Sequence, residues 1–405
     1  MKFLLALCAI GALALLLSVG PSTLRSSDPT TSEVQPEVRE SAWAWYEPEF
    51  IAWPCEKIET EIDNVHQPQI AIGPDEELVV QARGNLHHSV DSGRTWKHLC
   101  DTPAGDTSGV AVLRDGTFLV ATNIQDGYET NGYTSPNYTI RSFTYRSEDR
   151  GQTWSQAFEL DPWPYDGVGT DASIRFSEDE DGTIYYPVST TNIARPGKPL
   201  PQERWYFAAQ LYVSLDGGRT FRSRANMGKW TCESDILALG GGHLVSSIRY
   251  QTPGEGSWPR HKQTAIAFST DSGRTWTTPR LVTGYLQQTA CLVKLSDDTL
   301  VLPFGHKHPG HGQRFILSYD LGKTWSNTIF ELNKGGLYAS SVALKDDTIV
   351  TVFQARDREN NRFSKLTVLR WRVPSREVVS RGGFFAGPKV DRDRDYYTMH
   401  RKPVD

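Results

Sequence analysis

Cysteine is scarce in this chain, with five residues in 405, and no two of them form the C-x-x-C spacing of a structural zinc site. Basic blocks are also missing, and the formal net charge is -5. Nucleic acid is therefore not expected as a partner, because its recognition needs a concentrated basic surface. Long apolar runs are absent beyond the N-terminus, and helical periodicity is weak. The 34 glycines and 23 prolines instead favour an all-β chain rich in turns.

The N-terminus holds the one long apolar run, residues 3–19, directly after Met1 and Lys2. This pattern predicts that residues 1–22 are a signal peptide or an uncleaved N-terminal anchor. Residues 23–40 are rich in Pro, Ser, Thr and acidic residues, which predicts a disordered linker. Either alternative exports the rest of the chain, as a secreted, periplasmic or cell-surface protein. The membrane is expected as a partner only through the possible anchor.

Export would leave four cysteines in an oxidising compartment, which permits two disulfides in three connectivities. Buried free thiols are the alternative. The four are Cys55, Cys100, Cys232 and Cys291.

An octapeptide with the skeleton S-x-D-x-G-x-T-[WF] occurs five times, at residues 89–96, 147–154, 214–221, 269–276 and 318–325. Each copy is predicted to be a tight turn between two strands. The Asp side chain can accept backbone N–H groups within the turn, and the Gly can adopt a positive φ without steric cost. The Thr and the aromatic residue then begin the next strand. An internal repeat of roughly 50 to 60 residues indicates a propeller or a solenoid.

A second repeated element, an apolar hairpin, precedes each octapeptide and occurs once more after the last copy. The six copies are residues 67–80, 108–120, 171–187, 233–247, 289–303 and 338–353. Six hairpins with their outer strand pairs predict a six-bladed β-propeller of four-stranded antiparallel blades over residues 41–385. We expect residues 41–50, with Trp43, Trp45 and Tyr46, to complete the last blade. The charged tail, residues 386–405, is expected on the surface.

Aligning the hairpins on their turns places one residue of each at the start of its inner strand. Since a propeller directs these starts to one mouth of the central channel, the six residues should form a ring there. Among them, Asp171, Glu233 and Tyr338 can do chemistry. The six are Gln67, Thr107, Asp171, Glu233, Thr289 and Tyr338.

The octapeptide is the Asp-box, and the chain resembles the sialidase (neuraminidase) superfamily from about Val65 to Val373. The resemblance implies a glycosidase in which a Tyr is the nucleophile and a Glu is its base. Tyr338 matches the former and Glu233 the latter. The family binds the substrate carboxylate with three arginines, and Arg249 and Arg314 match two of them. No cofactor is implied, and the expected partner is a carbohydrate carrying a carboxylate, sialic acid or a uronate.

Two departures from the family pattern affect this prediction. His66 stands where the family has its first arginine, and Arg83 is a candidate to replace it. The loop that bears the family's acid Asp is too short here and has no carboxylate, so Asp171 or Asp126 is the candidate acid.

Three histidines, His306, His308 and His311, occupy a Gly-rich loop that should overhang the same mouth. A metal site would need a partner carboxylate, which the sequence does not indicate, so we predict a substrate-lining loop and no metal. The histidines also suit an alternative function, a polysaccharide lyase that exchanges protons at a uronic acid through a histidine such as His66 and Tyr338. A carbohydrate-binding propeller without turnover is the third alternative.

Overall fold

A computed structural model describes residues 50–103, 107–126, 139–163, 165–169, 175–191, 208–252, 261–307, 311–356 and 363–390. These residues form six antiparallel sheets in a ring, which is the predicted six-bladed β-propeller. The predicted leader and linker, residues 1–40, lie outside the described residues. In the part described, no helix has the length and hydropathy of a membrane span.

The strands of the first three blades follow one another along the chain, after two short strands, β1 (Phe50–Ala52) and β2 (Glu56–Glu59). Blade one contains β3 (Gln69–Ile72), β4 (Leu78–Ala82), β5 (Asn85–Ser89) and β6 (Lys97–Asp101). Blade two contains β7 (Thr107–Val112), β8 (Phe118–Asp126), β9 (Thr139–Ser147) and β10 (Phe158–Glu159). Blade three contains β11 (Gly167–Gly169), β12 (Ser177–Glu178), β13 (Ile184–Thr191), β14 (Ala208–Ser214) and β15 (Arg222–Lys229).

The last three blades continue in the same order. Blade four contains β16 (Thr231–Gly240), β17 (His243–Thr252), β18 (His261–Ser269) and β19 (Arg280–Leu281). Blade five contains β20 (Gln287–Gln288), β21 (Val293–Lys294), β22 (Leu300–His306), β23 (Gly312–Ser318) and β25 (Ile329–Lys334), with β24 (Trp325–Ser326) between the last two in sequence. Blade six contains β26 (Leu337–Ala343), β27 (Ile349–Arg356) and β28 (Phe363–Trp371). Helix α1 (Arg376–Ser380) follows, and β29 (Phe384–Phe385) pairs with β24.

The ring is closed by β2, which pairs antiparallel with β28 as the outer strand of blade six. The expectation that residues 41–50 complete this blade is therefore wrong, because β2 holds that place. Phe50 belongs to β1, which adds in parallel to β25 of blade five, and residues 41–49 lie outside the described residues. The aromatic residues of that segment suggested a strand, but a closing outer strand faces solvent. The mostly charged and exposed β2 meets that requirement better, and it lies closer in sequence to blade one.

The core is divided among the interfaces between neighbouring blades. Between blades six and one, for example, Val80 packs with Val352 and Val368. The six inner strands surround a central channel with a cavity of about 280 Å³. Every blade contributes to its wall, as shown by Ile70, Val110, Ser177, Ile236, Val293 and Val342.

The Asp-boxes have the predicted turn structure. In the copy at residues 269–276, the Asp271 carboxylate accepts hydrogen bonds from the Thr275 backbone N (2.9 Å) and the Thr275 hydroxyl (2.6 Å). Gly273 has a φ of 79° and donates its N–H to Ser269 Oγ at 2.9 Å. The other four boxes repeat these bonds. They follow the third strand of blades one to five, so they lie at the end opposite the inner-strand starts.

The four cysteines of the propeller are free thiols, which supports the second of the two alternatives above. The first residues of the predicted tail extend the outer edge of blade four, where Leu281 N donates to Pro388 O (3.0 Å) and Val390 N to Pro279 O (2.9 Å). Residues 391–405 lie outside the described part of the chain.

Candidate functional site

The inner strands are distorted at the positions predicted for the ring. Four of these ring residues have φ angles between 34° and 59°, and they are Gln67, Glu233, Thr289 and Tyr338. Such left-handed backbone costs a non-glycine residue on the order of 1–3 kcal/mol and clusters at functional sites. The strand pairing of β16 and β26 also shifts register here. The repeat therefore carries a β-bulge, a device that redirects a side chain.

Glu233 is the centre of the site. It is only 7% exposed, and its carboxylate forms an ion pair with Arg249 and accepts a hydrogen bond from Thr289 Oγ1 at 2.7 Å. Burial alone would raise the pKa of Glu233, but Arg249, Lys307 and the hydrogen bonds together lower it to about 2. Glu233 is therefore ionised at neutral pH, the state that a general base requires.

Arg249 lies near the end of β17, across from the start of β16, so both reach the same mouth. Arg249 donates hydrogen bonds from Nε (3.0 Å) and Nη2 (2.5 Å) to Gln251 Oε1, while its Nη1 faces Glu233. Burial opposes the charge of Arg249, but Glu233, followed by Cys232 and Tyr338, outweighs it and raises its pKa. The guanidinium is thus held in one orientation by two neighbours.

Tyr338 is half-buried, and the ammonium of Lys307 lies 4.2 Å from the centre of its ring. Lys307 also lowers the pKa of Glu233, and Tyr338 helps to raise the pKa of Arg249. Blades four, five and six therefore bring Glu233, Arg249 and Tyr338 into one cluster. The cation over the ring contributes about 0.5–2 kcal/mol of attraction.

Lys262, on β18 opposite Gln251, is a second cation that the sequence did not reveal. Burial is the main cause that lowers its pKa to about 7, and Arg249 and Lys307 add to the effect. Neither lysine forms an ion pair with a carboxylate among the described residues. Neither occurs in a recognisable motif, although Lys307 belongs to the histidine-rich loop. Lys262 reaches the cluster from the third strand of blade four, whereas Lys307 approaches it from blade five.

The cluster defined by Glu233, Arg249, Lys262, Lys307 and Tyr338 holds one carboxylate against up to three cations. Half-buried cations without a counter-ion favour an anionic ligand, because the ligand would replace the water that they lose. A phenol and an ionised carboxylate beside that excess charge can carry out nucleophilic or proton-transfer chemistry on the ligand.

Two other predicted residues lie on the first blade. His66 is exposed on the segment before β3, and Arg83 occupies the turn between β4 and β5 at the mouth end of the blade. Arg83 has a φ of 45° and donates from Nη1 to Asn64 Oδ1 at 2.9 Å. Both residues therefore lie at the mouth end of blade one, whereas Glu233 lies on blade four.

The structure does not place Arg314 in the cluster, contrary to the prediction. Its guanidinium is buried in the outer part of blade five, where Nη2 pairs with Glu331 Oε2 (2.5 Å) and Nη1 donates to Asn333 O (3.0 Å). Burial lowers the pKa of Arg314, and the charge of Glu331 opposes that shift. The charge of Arg314 is therefore directed at Glu331 within its own blade.

His306 also differs from the expected loop residue, because it is a buried part of β22. Its ring meets Phe50 edge-on with a centroid distance of 5.2 Å, and the same Phe50 ring lies 4.5 Å from the Arg314 guanidinium. The strand β1, which the repeat did not predict here, thus covers both residues.

The candidate acid Asp171 and the loop residue His308 lie outside the described residues. Asp126 is exposed at the end of β8. Within the described ranges, no group of three or more His, Cys, Asp and Glu side chains is arranged to hold a metal ion.

The comparisons with known proteins agree with the fold. A family model described as a BNR repeat-like domain matches residues 128–281. A sialidase from Bacteroides fragilis is 24% identical over 279 residues, which cover 60% of this chain and 47% of that protein. The chain therefore spans about half the length of this curated relative.

Solved structures share the fold at low identity. A protein of unknown function from Dyadobacter fermentans has a TM-score of 0.59 and 19% identity, covering 80% of this chain and 98% of that one. A Hadza microbial sialidase has a TM-score of 0.54 and 18% identity, covering 79% and 67%. A sialidase from Trypanosoma rangeli, solved with the inhibitor DANA, has a TM-score of 0.53 and 14% identity, covering 78% and 58%. At these identities the structural likeness establishes the fold and not the activity.

Proposed function

We propose that this chain, a divergent member of the sialidase superfamily, hydrolyses glycosidic bonds of acidic sugars, with sialic acid as the default substrate. The observation that carries the proposal is the cluster at the mouth. It combines an ionised buried Glu233, a half-buried Tyr338 and an excess of positive charge. From the apolar run at residues 3–19 we also propose that the protein is exported.

In this mechanism the Tyr338 phenol oxygen attacks the anomeric carbon, and its proton passes to Glu233. A neutral phenol approaches a carbon beside the substrate carboxylate with less repulsion than a carboxylate nucleophile would. The C–O bond to the leaving group breaks, and Asp171 is the proposed acid that protonates it. Water then attacks the anomeric carbon and passes its proton to Asp171, and the bond between tyrosine and sugar breaks as Glu233 returns its proton to the phenol.

Arg249, Lys262 and Lys307 hold the substrate carboxylate in this proposal. When Arg249 pairs with the substrate carboxylate, its electrostatic attraction to Glu233 becomes weaker. The pKa of Glu233 then rises from its low resting value, because an opposite charge is the force that depresses it. Substrate binding would thus strengthen the base at the moment when the phenol must be deprotonated.

The test is the release of fluorophore from a fluorogenic sialoside. Tyr338→Phe removes only the attacking oxygen and should lower kcat by on the order of 10³-fold or more. Glu233→Gln should lower it by roughly 10²–10⁴-fold, the usual contribution of a general base.

Tyr145→Phe is the matched control, since Tyr145 is a half-buried tyrosine on β9 of blade two and its phenol oxygen has no partner among the described residues. This control should keep wild-type activity. If Tyr338→Phe cleaves the sialoside as fast as the wild type, Tyr338 is not the nucleophile.

A polysaccharide lyase is the second candidate, and Lys262 is the observation that favours it. An amine with a pKa of about 7 beside other cations can abstract a proton from a uronic acid whose carboxylate those cations neutralise. A lyase would turn uronate polymers into unsaturated products that absorb in the near ultraviolet, and it would leave the sialoside intact. Absence of both activities, with a sugar-dependent rise in Tm, would instead indicate a binding propeller.

A further inference from the structure

Arg175 lies in the central channel, immediately before β12 of blade three, and the mechanism above does not use it. Its Nε and Nη2 donate to both carboxylate oxygens of Asp235, at 3.1 and 2.5 Å. It also donates from Nη1 to Ser341 O (2.5 Å) and from Nη2 to Leu292 O (2.6 Å). One side chain of blade three therefore bonds to blades four, five and six together.

The three partners share a position relative to the site. Asp235 lies two residues after Glu233 on β16. Leu292 lies three residues after Thr289, and Ser341 lies three residues after Tyr338. Each partner thus sits just below a bulge that presents a site residue to the mouth. Asp235 adds a further link between blades, because its Oδ2 accepts the Leu292 N–H at 2.7 Å.

We propose that Arg175 is a positioning residue that keeps the inner strands of Glu233, Thr289 and Tyr338 at fixed separations. The activity measurement that tests this proposal rests on the proposed function. The site residues come from three separate blades, and each stands on a left-handed backbone that its own strand does not favour. Contacts across the channel are therefore needed to fix them relative to one another. Arginine suits this task because its planar fork can serve a carboxylate and two carbonyls at once.

Burial makes these bonds persistent. The side chain of Arg175 is 12% exposed and that of Asp235 is 0% exposed. Burial opposes the charge on Arg175, but Asp235 outweighs it and raises the pKa of the guanidinium. The guanidinium therefore stays charged, and water has little access to compete for its hydrogen bonds to Asp235.

The experiment compares Arg175→Lys with the wild type in kcat and KM on the fluorogenic sialoside. A lysine keeps the charge toward Asp235 but cannot reach both carbonyls. We expect kcat to fall by about 10–100-fold, since misplacing reacting groups by about 1 Å can cost 10²-fold. KM should stay within about threefold, because Arg249, Lys262 and Lys307 are unchanged.

The control is Arg146→Lys. Arg146 is 11% exposed and ties blade two to blade three at the Asp-box end, through Gly217 O (2.8 Å). This variant should keep kcat although it loses a similar network. The double variant Arg175→Met/Asp235→Asn removes both charges while keeping an acceptor for Leu292 N–H, so it should fold and still show the low kcat. Equal kcat in Arg175→Lys and Arg146→Lys, or a change confined to KM, would overturn the proposal.

Hydrogen exchange separates this proposal from the proposed function. In Arg175→Lys, amides of β16, β21 and β26 should exchange faster than in Arg146→Lys. If the wild type cleaves no sialoside, the proposed function fails, and the exchange pattern alone decides on Arg175. Unchanged exchange in those strands would then refute the positioning role.

Discussion

Replacing Lys262 by Met should remove most of the pH dependence of anion binding at the mouth of the propeller. With a pKa of about 7, Lys262 changes its charge within the neutral range, whereas Glu233 is ionised and Arg249 is charged throughout. The protonated fraction of the free protein falls from roughly 0.9 at pH 6 to roughly 0.1 at pH 8. If the anion needs the charged amine, its Kd rises about tenfold over this interval, which equals about 1.4 kcal/mol.

The assay is calorimetric titration with free sialic acid at constant ionic strength from pH 5.5 to pH 9. Between pH 6 and pH 8 the wild type should show the tenfold rise, and Lys262→Met should bind more weakly at pH 6 with a nearly constant Kd. Lys262→Arg is the matched control, because a guanidinium stays charged over the whole range and should bind well at every pH. If Lys262→Met keeps the slope of the wild type, the titrating group is a different one and the reasoning about Lys262 fails.

Two further predictions concern the site and the turns. Thr289→Val removes the hydrogen bond to Glu233 Oε2, so it should raise the pKa of Glu233 and lower the free energy of unfolding by about 1–2 kcal/mol. Thr289→Ser keeps the hydroxyl and should leave both the pKa and the stability unchanged. An acidic limb of the pH–kcat profile that does not move in Thr289→Val would contradict this. Asp91→Asn should lower the free energy of unfolding by about 1 kcal/mol at pH 7, the typical contribution of a hydrogen bond. The pKa of Asp91 is lowered to about 2, so its contribution is present above pH 4 and is lost as the pH falls through 2. The Tm difference between Asp91→Asn and the wild type should therefore shrink toward pH 2, and a constant difference would be inconsistent with this linkage.

The sequence predicted the propeller because its turns are local. An Asp-box keeps its serine, aspartate, glycine and threonine within eight residues, and those residues bond to one another in all five copies. The ring positions were predictable for the same reason, since the repeat marks the start of each inner strand. Glu233 and Arg249 could be paired from sequence because they stand on adjacent strands of one hairpin.

Contacts between blades were decided only by the tertiary structure. Lys307 approaches Glu233 across a blade interface, and Lys262 approaches it from the third strand of the same blade. No local pattern records either approach. Arg314 has the spacing of a substrate clamp, but the packing of β25 and β1 around it determines that it pairs with Glu331 instead.

Closure of the ring and the hold of Arg175 on three strands depend in the same way on residues far apart in sequence. The sequence alone determined the repeated turns, the number of blades and the end of the channel where chemistry can occur, because each of these follows from short-range hydrogen bonding and strand alternation. The tertiary structure decided which charges meet at that end, because they come from different strands and blades whose separations short-range patterns do not encode.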